Sequence, residues 1–274
     1  MNKPTQYITL STIILSISWI ASLSLFCSCT TTKQKSNQTN QSIEKLDWRL
    51  VFEDDMTEDY EQYYHMDGTR STIEQSPNGL TLTAGPEAHN DTCHTVLWTK
   101  ERYSSPVQIE YDYTRLDSSQ VGVNILYLLA SGMGDPQHPI NLMDWNEGRQ
   151  IPAMRTYFNH VDTYHFSYAT FGNGSLEPSY IRARRYLPDA GQGLDGTALT
   201  PDYWEDDLFA VGVKHHIKVT VLNADIIMEV TNDDTHNVYH FDSSTHPTID
   251  EGHIGFRHMW TRSARYSNLK IYQL

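Results

Sequence analysis

The feature that most constrains this chain is alternation. "PVQIEYDYTRL" sets Val107, Ile109, Tyr111 and Tyr113 on one face of an extended strand and Gln108, Glu110 and Asp112 on the other. "VGVNILYLLA" groups Val121, Val123, Ile125 and Tyr127 in the same way. "HIKVTVL" and "DIIMEV" repeat the pattern, and "HIGFRHM" and "SNLKIYQL" close the chain. "NGL" at 78–80, "LNAD" at 222–225 and "NDD" at 232–234 read as turns. No segment carries a long amphipathic helical period. The expected fold is therefore all-β, an antiparallel β-sandwich of the jelly-roll type.

The sandwich accounts for residues 46–274 as a single domain. Before it, "ITLSTIILSISWIASLSLF" is an apolar run that ends in "FCSCT", so residues 1–28 read as a lipoprotein signal peptide. Cys29 is the expected lipidation site, and the polar residues 29–45 form a flexible tether. An uncleaved membrane anchor is the alternative, since the run is long enough to span a bilayer. Under the first reading the protein is a bacterial lipoprotein, extracytoplasmic and held to a membrane by its lipid. Cys93 is then the one cysteine of the folded part, so no internal disulfide is expected and the core must carry stability. The formal net charge of −14 argues against nucleic acid as a partner.

Two stretches break the alternation, residues 131–156 and 187–207. Connections of that length are functional or disordered in compact domains. They carry Trp145, Tyr203 and Trp204, and are read as ordered walls around a site.

Further residues carry a family resemblance. "WRLVFEDDM", the central "YHFSY", the arginine-rich "YIRARRY" and the terminal "GHIGFRHMWTRSARYSNLKIYQL" resemble the YesU-like family of bacterial proteins. The most specific part is G-x-I-G-F-R, followed nine residues after its arginine by Tyr266. The resemblance implies a concanavalin-A-like jelly roll and an association with breakdown of uronic-acid polysaccharides, pectic or ulvan-type.

Strand parity then proposes a site. In "TYHFSY", Tyr164, Phe166 and Tyr168 share one face while His165 and Ser167 take the other. Arg182 and Arg184 share a face, with Arg185 opposite. Ile254 and Phe256 look like core, which turns Arg257 outward with His253. Leu269 and Ile271 suggest a buried face, leaving Tyr266, Asn268 and Lys270 on the other. Residues 182–185 and 257–265 hold six of the twelve arginines. Such clusters in an acidic protein suit either a carboxylate or sulfate ligand, gripped by the guanidinium fork, or surface salt bridges.

If the ligand is a uronic acid, these residues have a reaction to perform. Arg182 and Arg257 would bind and neutralise the carboxylate, His165 and Tyr266 would exchange protons, and the C4 substituent would leave. A departing sugar makes the enzyme a polysaccharide lyase; a departing terminal hydroxyl makes it an oligosaccharide dehydratase, the preferred reading because walls favour chain ends. Arg184, Tyr168, Trp145 and Asn268 are candidate substrate contacts, although parity places Tyr168 with the core. A carbohydrate-binding, lectin-like protein without turnover is the alternative. A glycoside hydrolase ranks lower, because Glu110 and Asp112 lack the second glutamate of the E-x-D-x-x-E pattern. No cofactor and no catalytic metal are expected, and a structural calcium is left open.

Overall fold

The computed structural model describes residues 43, 45–169, 179–204 and 208–274. Trp48–Leu274 forms one compact unit. The leader, Cys29 and most of the tether lie outside the described residues.

The strands among the described residues are β1 (Arg49–Asp54), β2 (Tyr64–Asp67), β3 (Thr72–Ser76), β4 (Gly79–Thr83), β5 (Thr95–Thr99), β6 (Tyr103–Ser104), β7 (Val107–Arg115) and β8 (Asn124–Gly132). They continue with β9 (Val161–Tyr168), β10 (Tyr180–Tyr186), β11 (Ala198–Trp204), β12 (Lys214–Leu222), β13 (Asp225–Thr231), β14 (His236–Asp242), β15 (Glu251–His258) and β16 (Ser263–Gln273). One sheet runs β14-β13-β12-β7-β16-β4-β3, with β1 also on β16. The second runs β11-β10-β9-β8-β15-β5-β2, with β6 on β15. The described pairings are antiparallel, giving the β-sandwich that the alternation predicts.

The inward residues of both sheets meet in one core that includes Tyr111, Tyr113, Leu126, Leu128, Phe166, Tyr168, Phe256, Tyr266, Leu269 and Ile271. A second apolar cluster lies on the outer face of the second sheet, where Val96, Trp98, Ile125 and Tyr127 meet Leu142, Trp145 and Tyr157. That cover explains why every residue of β8 is buried. A strand packed on both faces becomes apolar throughout, and its alternation blurs.

The two irregular stretches differ in character. After β8 ends at Gly132, residues 133–160 form the cover, built from 3-10 turns over Leu142–Arg149 and a helix over Met154–His160. The second stretch is not wholly a connection, because β11 lies within it and pairs with β10 at the sheet edge. Pro201 sits in that strand, a position that an edge tolerates since one side of the ladder is unpaired. Cys93 is fully buried and its thiol is free.

Candidate functional site

Register places the outer-face residues of the second sheet in rows. Arg184 lies opposite His165, His165 opposite Tyr127, Tyr127 opposite Gly255 and Gly255 opposite Trp98. The adjacent row runs Arg182, Ser167, Ile125, Arg257. His165, Arg182, Arg184 and Arg257, from three strands, therefore face the same way. Gly255 makes the first row possible. A Cβ there would come within 2.4 Å of the Trp98 ring, so only glycine lets the indole lie across the strand.

The cover is fastened to this face by one carboxylate. Asp67 accepts from Trp98 Nε1 at 2.7 Å, Arg149 Nε at 2.7 Å and Nη2 at 3.2 Å, and Tyr157 Oη at 2.9 Å. Both side chains of the Arg149–Asp67 pair are fully buried. Tyr157, held in this way, stacks on Tyr127 with ring centroids 5.7 Å apart. Its ring also carries the Arg257 guanidinium, whose Cζ is 4.7 Å from the centroid, a cation–π contact strengthened by the full burial of both side chains. Arg257 Nη2 donates to the Pro152 carbonyl and to His94 Nδ1, both at 2.6 Å.

What remains unpaired is the informative part. Arg257 Nε and Nη1, Tyr127 Oη, Tyr186 Oη, His165 Nδ1 and His94 Nε2 are buried without a hydrogen-bond partner. Native interiors pair nearly all such groups. Others here, among them Tyr111 Oη, Tyr164 Oη, Asn124 Oδ1 and His258 Nδ1, are scattered through the interior, whereas these six gather around Arg257 and His165 and make this face the candidate site. Tyr127 Oη approaches Tyr186 and Arg257 closely enough for each to influence its ionisation, although neither contact has hydrogen-bond geometry. His165 Nε2 is 3.2 Å from Ser167 Oγ.

Charge sets the protonation states. Burial, then the positive fields of Arg184, Arg257 and Arg182, hold His165 well below the usual imidazole range, so it is neutral at physiological pH. Burial and Arg257 push His94 down to about 3. Burial raises Tyr127 and Tyr186, and raises Tyr157 with help from Asp67. The site thus combines a neutral imidazole, protonated phenols and a permanent cation, which suits base, acid and anion-binding roles respectively.

Other predicted residues stand elsewhere. Tyr266 is fully buried between the sheets, bonded to His258 Nε2 at 2.7 Å and Tyr168 Oη at 3.3 Å. The parity that placed it outside fails because Asn268, at φ 55°, is an extra residue in β16: Ser267 pairs with Asp112 but Lys270 with Glu110. Such a bulge reverses the facing of what precedes it. Tyr168 is likewise interior, as its own parity indicated, and neither tyrosine reaches the site. Asn268 is exposed on the other sheet, donating to Asp112 at 2.9 Å. Trp145 is in the cover, nearly buried, with Arg149 over its ring at 4.5 Å. Arg182 reaches the proper face, but Asp202 already answers its charge through bonds of 2.9 and 2.6 Å.

Sequence reasoning missed Tyr127, Tyr186, Tyr157, His94, Arg149 and Asp67 as site residues. Tyr186 was within reach, being two residues from Arg184 on the same strand face. The cover residues gave no periodic signal. Among the described residues, no group of three or more His, Cys, Asp and Glu side chains is arranged to hold a metal ion.

No protein-family profile matches the sequence, and no curated protein matches it. Solved structures do. A protein of unknown function with a galectin-like fold from Bacillus subtilis aligns with TM-score 0.61 and 16% identity, over 82% of this chain and 98% of that one. The legume lectin-like domain from Entamoeba histolytica gives 0.51 and 12%, over 78% and 92%. Lectin I-B4 from Griffonia simplicifolia gives 0.51 and 10%, over 82% and 100%. At these identities the likeness shows the fold: a jelly-roll β-sandwich of the concanavalin-A-like kind.

Proposed function

We propose that this protein acts on uronic-acid-containing oligosaccharides of ulvan or pectin type by β-elimination, with dehydration at the non-reducing end preferred over internal lyase cleavage. The substrate class rests on the resemblance to the YesU-like family. The observation that carries the chemistry is the set of unpartnered polar atoms on Arg257, His165 and Tyr127, buried together on one sheet face.

In this reading the sugar carboxylate takes the free Nε and Nη1 of Arg257, and Arg184 adds positive charge from the neighbouring strand. Neutralising the carboxylate eases loss of the C5 proton, since the developing negative charge is offset where it forms. With His165 Nε2–H donating to Ser167 Oγ, the Nδ1 lone pair is free to accept that proton. The C5–H electron pair becomes the C4–C5 double bond, the C4–O bond breaks, and the departing oxygen takes a proton from Tyr127. Tyr127 thus replaces Tyr266 as the acid. No cofactor is required by this balance. Because Arg257 and Tyr127 are sealed under the cover, a bound sugar must displace covering side chains.

Incubation with saturated uronate oligosaccharides should yield near-ultraviolet absorbance together with loss of one water by mass. His165→Ala should abolish this product while binding persists. A second reading, carbohydrate binding without turnover, is favoured by the lectins among the fold's neighbours; it is adopted if no unsaturated product forms across a broad uronate panel. We also propose that the protein is lipid-anchored outside the cytoplasm through Cys29; Cys29→Ala should then stop incorporation of labelled palmitate.

A further inference from the structure

The outward residues of β10 change steadily in exposure. Tyr186 is buried at the end where Phe158 of the cover packs against it, with ring centroids 6.5 Å apart. Arg184 and Arg182 are half-buried, as is Tyr180 at the far end. Opposite Tyr180, on the edge strand β11, Trp204 is 51% exposed. The face is therefore closed beside Tyr186 and opens toward Trp204.

Trp204 is an unusual residue to leave in water, and its surroundings hold it in place. Its ring meets Tyr180 edge-on at 5.8 Å. The Arg182 guanidinium lies over Tyr180 at 4.4 Å and 5.9 Å from the Trp204 ring centroid, oriented by its two bonds to Asp202. A rigid aromatic face with an oriented polar rim is the means by which proteins bind the apolar face of a pyranose ring. Tyr180 precedes Arg184 by four residues on the strand, about 13 Å at the usual rise. That separation takes more than one pyranose ring to cross.

We infer that Trp204, supported by Tyr180 and Arg182, is a distal sugar subsite, and that a bound oligosaccharide runs along β10 with its reacting end at His165 and its next units leaving over Arg182 toward Trp204. The inference rests on the proposed reaction for the direction of the chain, but the subsite itself requires only binding. Its ligand is a pyranose unit beyond the reacting one, so it selects for length.

Titration calorimetry of the full chain with saturated uronate di- and tetrasaccharides tests this. Trp204→Ala should weaken tetrasaccharide binding by about two- to tenfold, the worth of one stacking contact, and leave the disaccharide unchanged. Trp204→Phe should restore part of the loss. Because Trp204 is half in solvent at a sheet edge, circular dichroism of the variant should match the parent. Equal affinity of parent and Trp204→Ala for the tetrasaccharide, or an equal loss at both lengths, overturns the subsite. A parent protein that prefers the tetrasaccharide through Trp204 yet forms no unsaturated product overturns the proposed reaction and leaves the subsite standing.

Discussion

Replacing Asp67 with asparagine should expose how much of this architecture depends on one carboxylate. The side chain accepts four hydrogen bonds, two from Arg149 and one each from Trp98 and Tyr157. Asparagine keeps one acceptor oxygen but removes the charge, leaving Arg149 fully buried without a counter-ion. Breaking a buried ion pair from one side costs about 3–5 kcal/mol, because the remaining charge cannot regain water. For a domain of this size, 1 kcal/mol moves the melting midpoint by about 2–4 °C, so the expected drop is roughly 6–20 °C. Urea unfolding at pH 7, followed by tryptophan fluorescence, gives the free energy. Arg149→Met should cost a comparable amount, and the double variant should cost clearly less than the sum, since the two share one interaction. A loss below about 1 kcal/mol for Asp67→Asn, or strict additivity in the double variant, would refute the claim that this pair fastens the cover.

The pH dependence of stability should begin well above the carboxylate range. Burial foremost holds His94 and His258 at about 3 and His253 at about 4. The unfolded chain therefore binds protons below about 6.5 that the folded chain refuses, and stability falls as pH drops from there to about 4, by roughly 1 kcal/mol per pH unit for each histidine. Asp112 adds nothing in that window: although burial opposes it, hydrogen bonds from His216, Asn268 and Lys214 hold it at about 2. Urea midpoints that stay flat from pH 7 to 4.5 would contradict this. Tyr266→Phe should cost about 1–2 kcal/mol through its bond to His258 and leave product formation unchanged, whereas Tyr127→Phe should cut the rate about a hundredfold or more; product assays on both separate interior from site. Gly255→Ala should destabilise by about 1–3 kcal/mol as the new methyl meets Trp98; Trp98 stacks on Tyr127 with ring centroids 5.4 Å apart, and loss of that pair's near-ultraviolet dichroism is the check.

How much of this was legible beforehand varied with the periodicity of each segment. β7, β9, β10 and β15 keep strict alternation, so His165, Arg182, Arg184 and Arg257 could be assigned to an outward face from parity alone. β16 breaks that rule at a single asparagine. A chain with Tyr266 and Leu269 three apart, both hydrophobic, holds the hint of a bulge, but the pattern of Leu269 and Ile271 masks it. β11 was hidden because its residues sit behind "LPDAGQGLDGT" and include a proline. The cover could not be foreseen in detail, since Arg149 and Tyr157 earn their places by long-range contacts with Asp67 rather than by local period. Arg182 shows a further limit: sequence gives its facing but not Asp202 as its partner.

The cover's fastening has a consequence for how such a protein changes over generations. Its ties to the sheet described above run from Arg149 and Tyr157 to Asp67, and from Tyr157 and the Pro152 carbonyl to Arg257, and belong to neither sheet's ladder. Residues 133–160 can then lengthen, shorten or be recast while the sandwich beneath keeps its pairing, provided a cation and a phenol still find that carboxylate. New ligand preferences would arise first in this removable roof, long before any strand had to move.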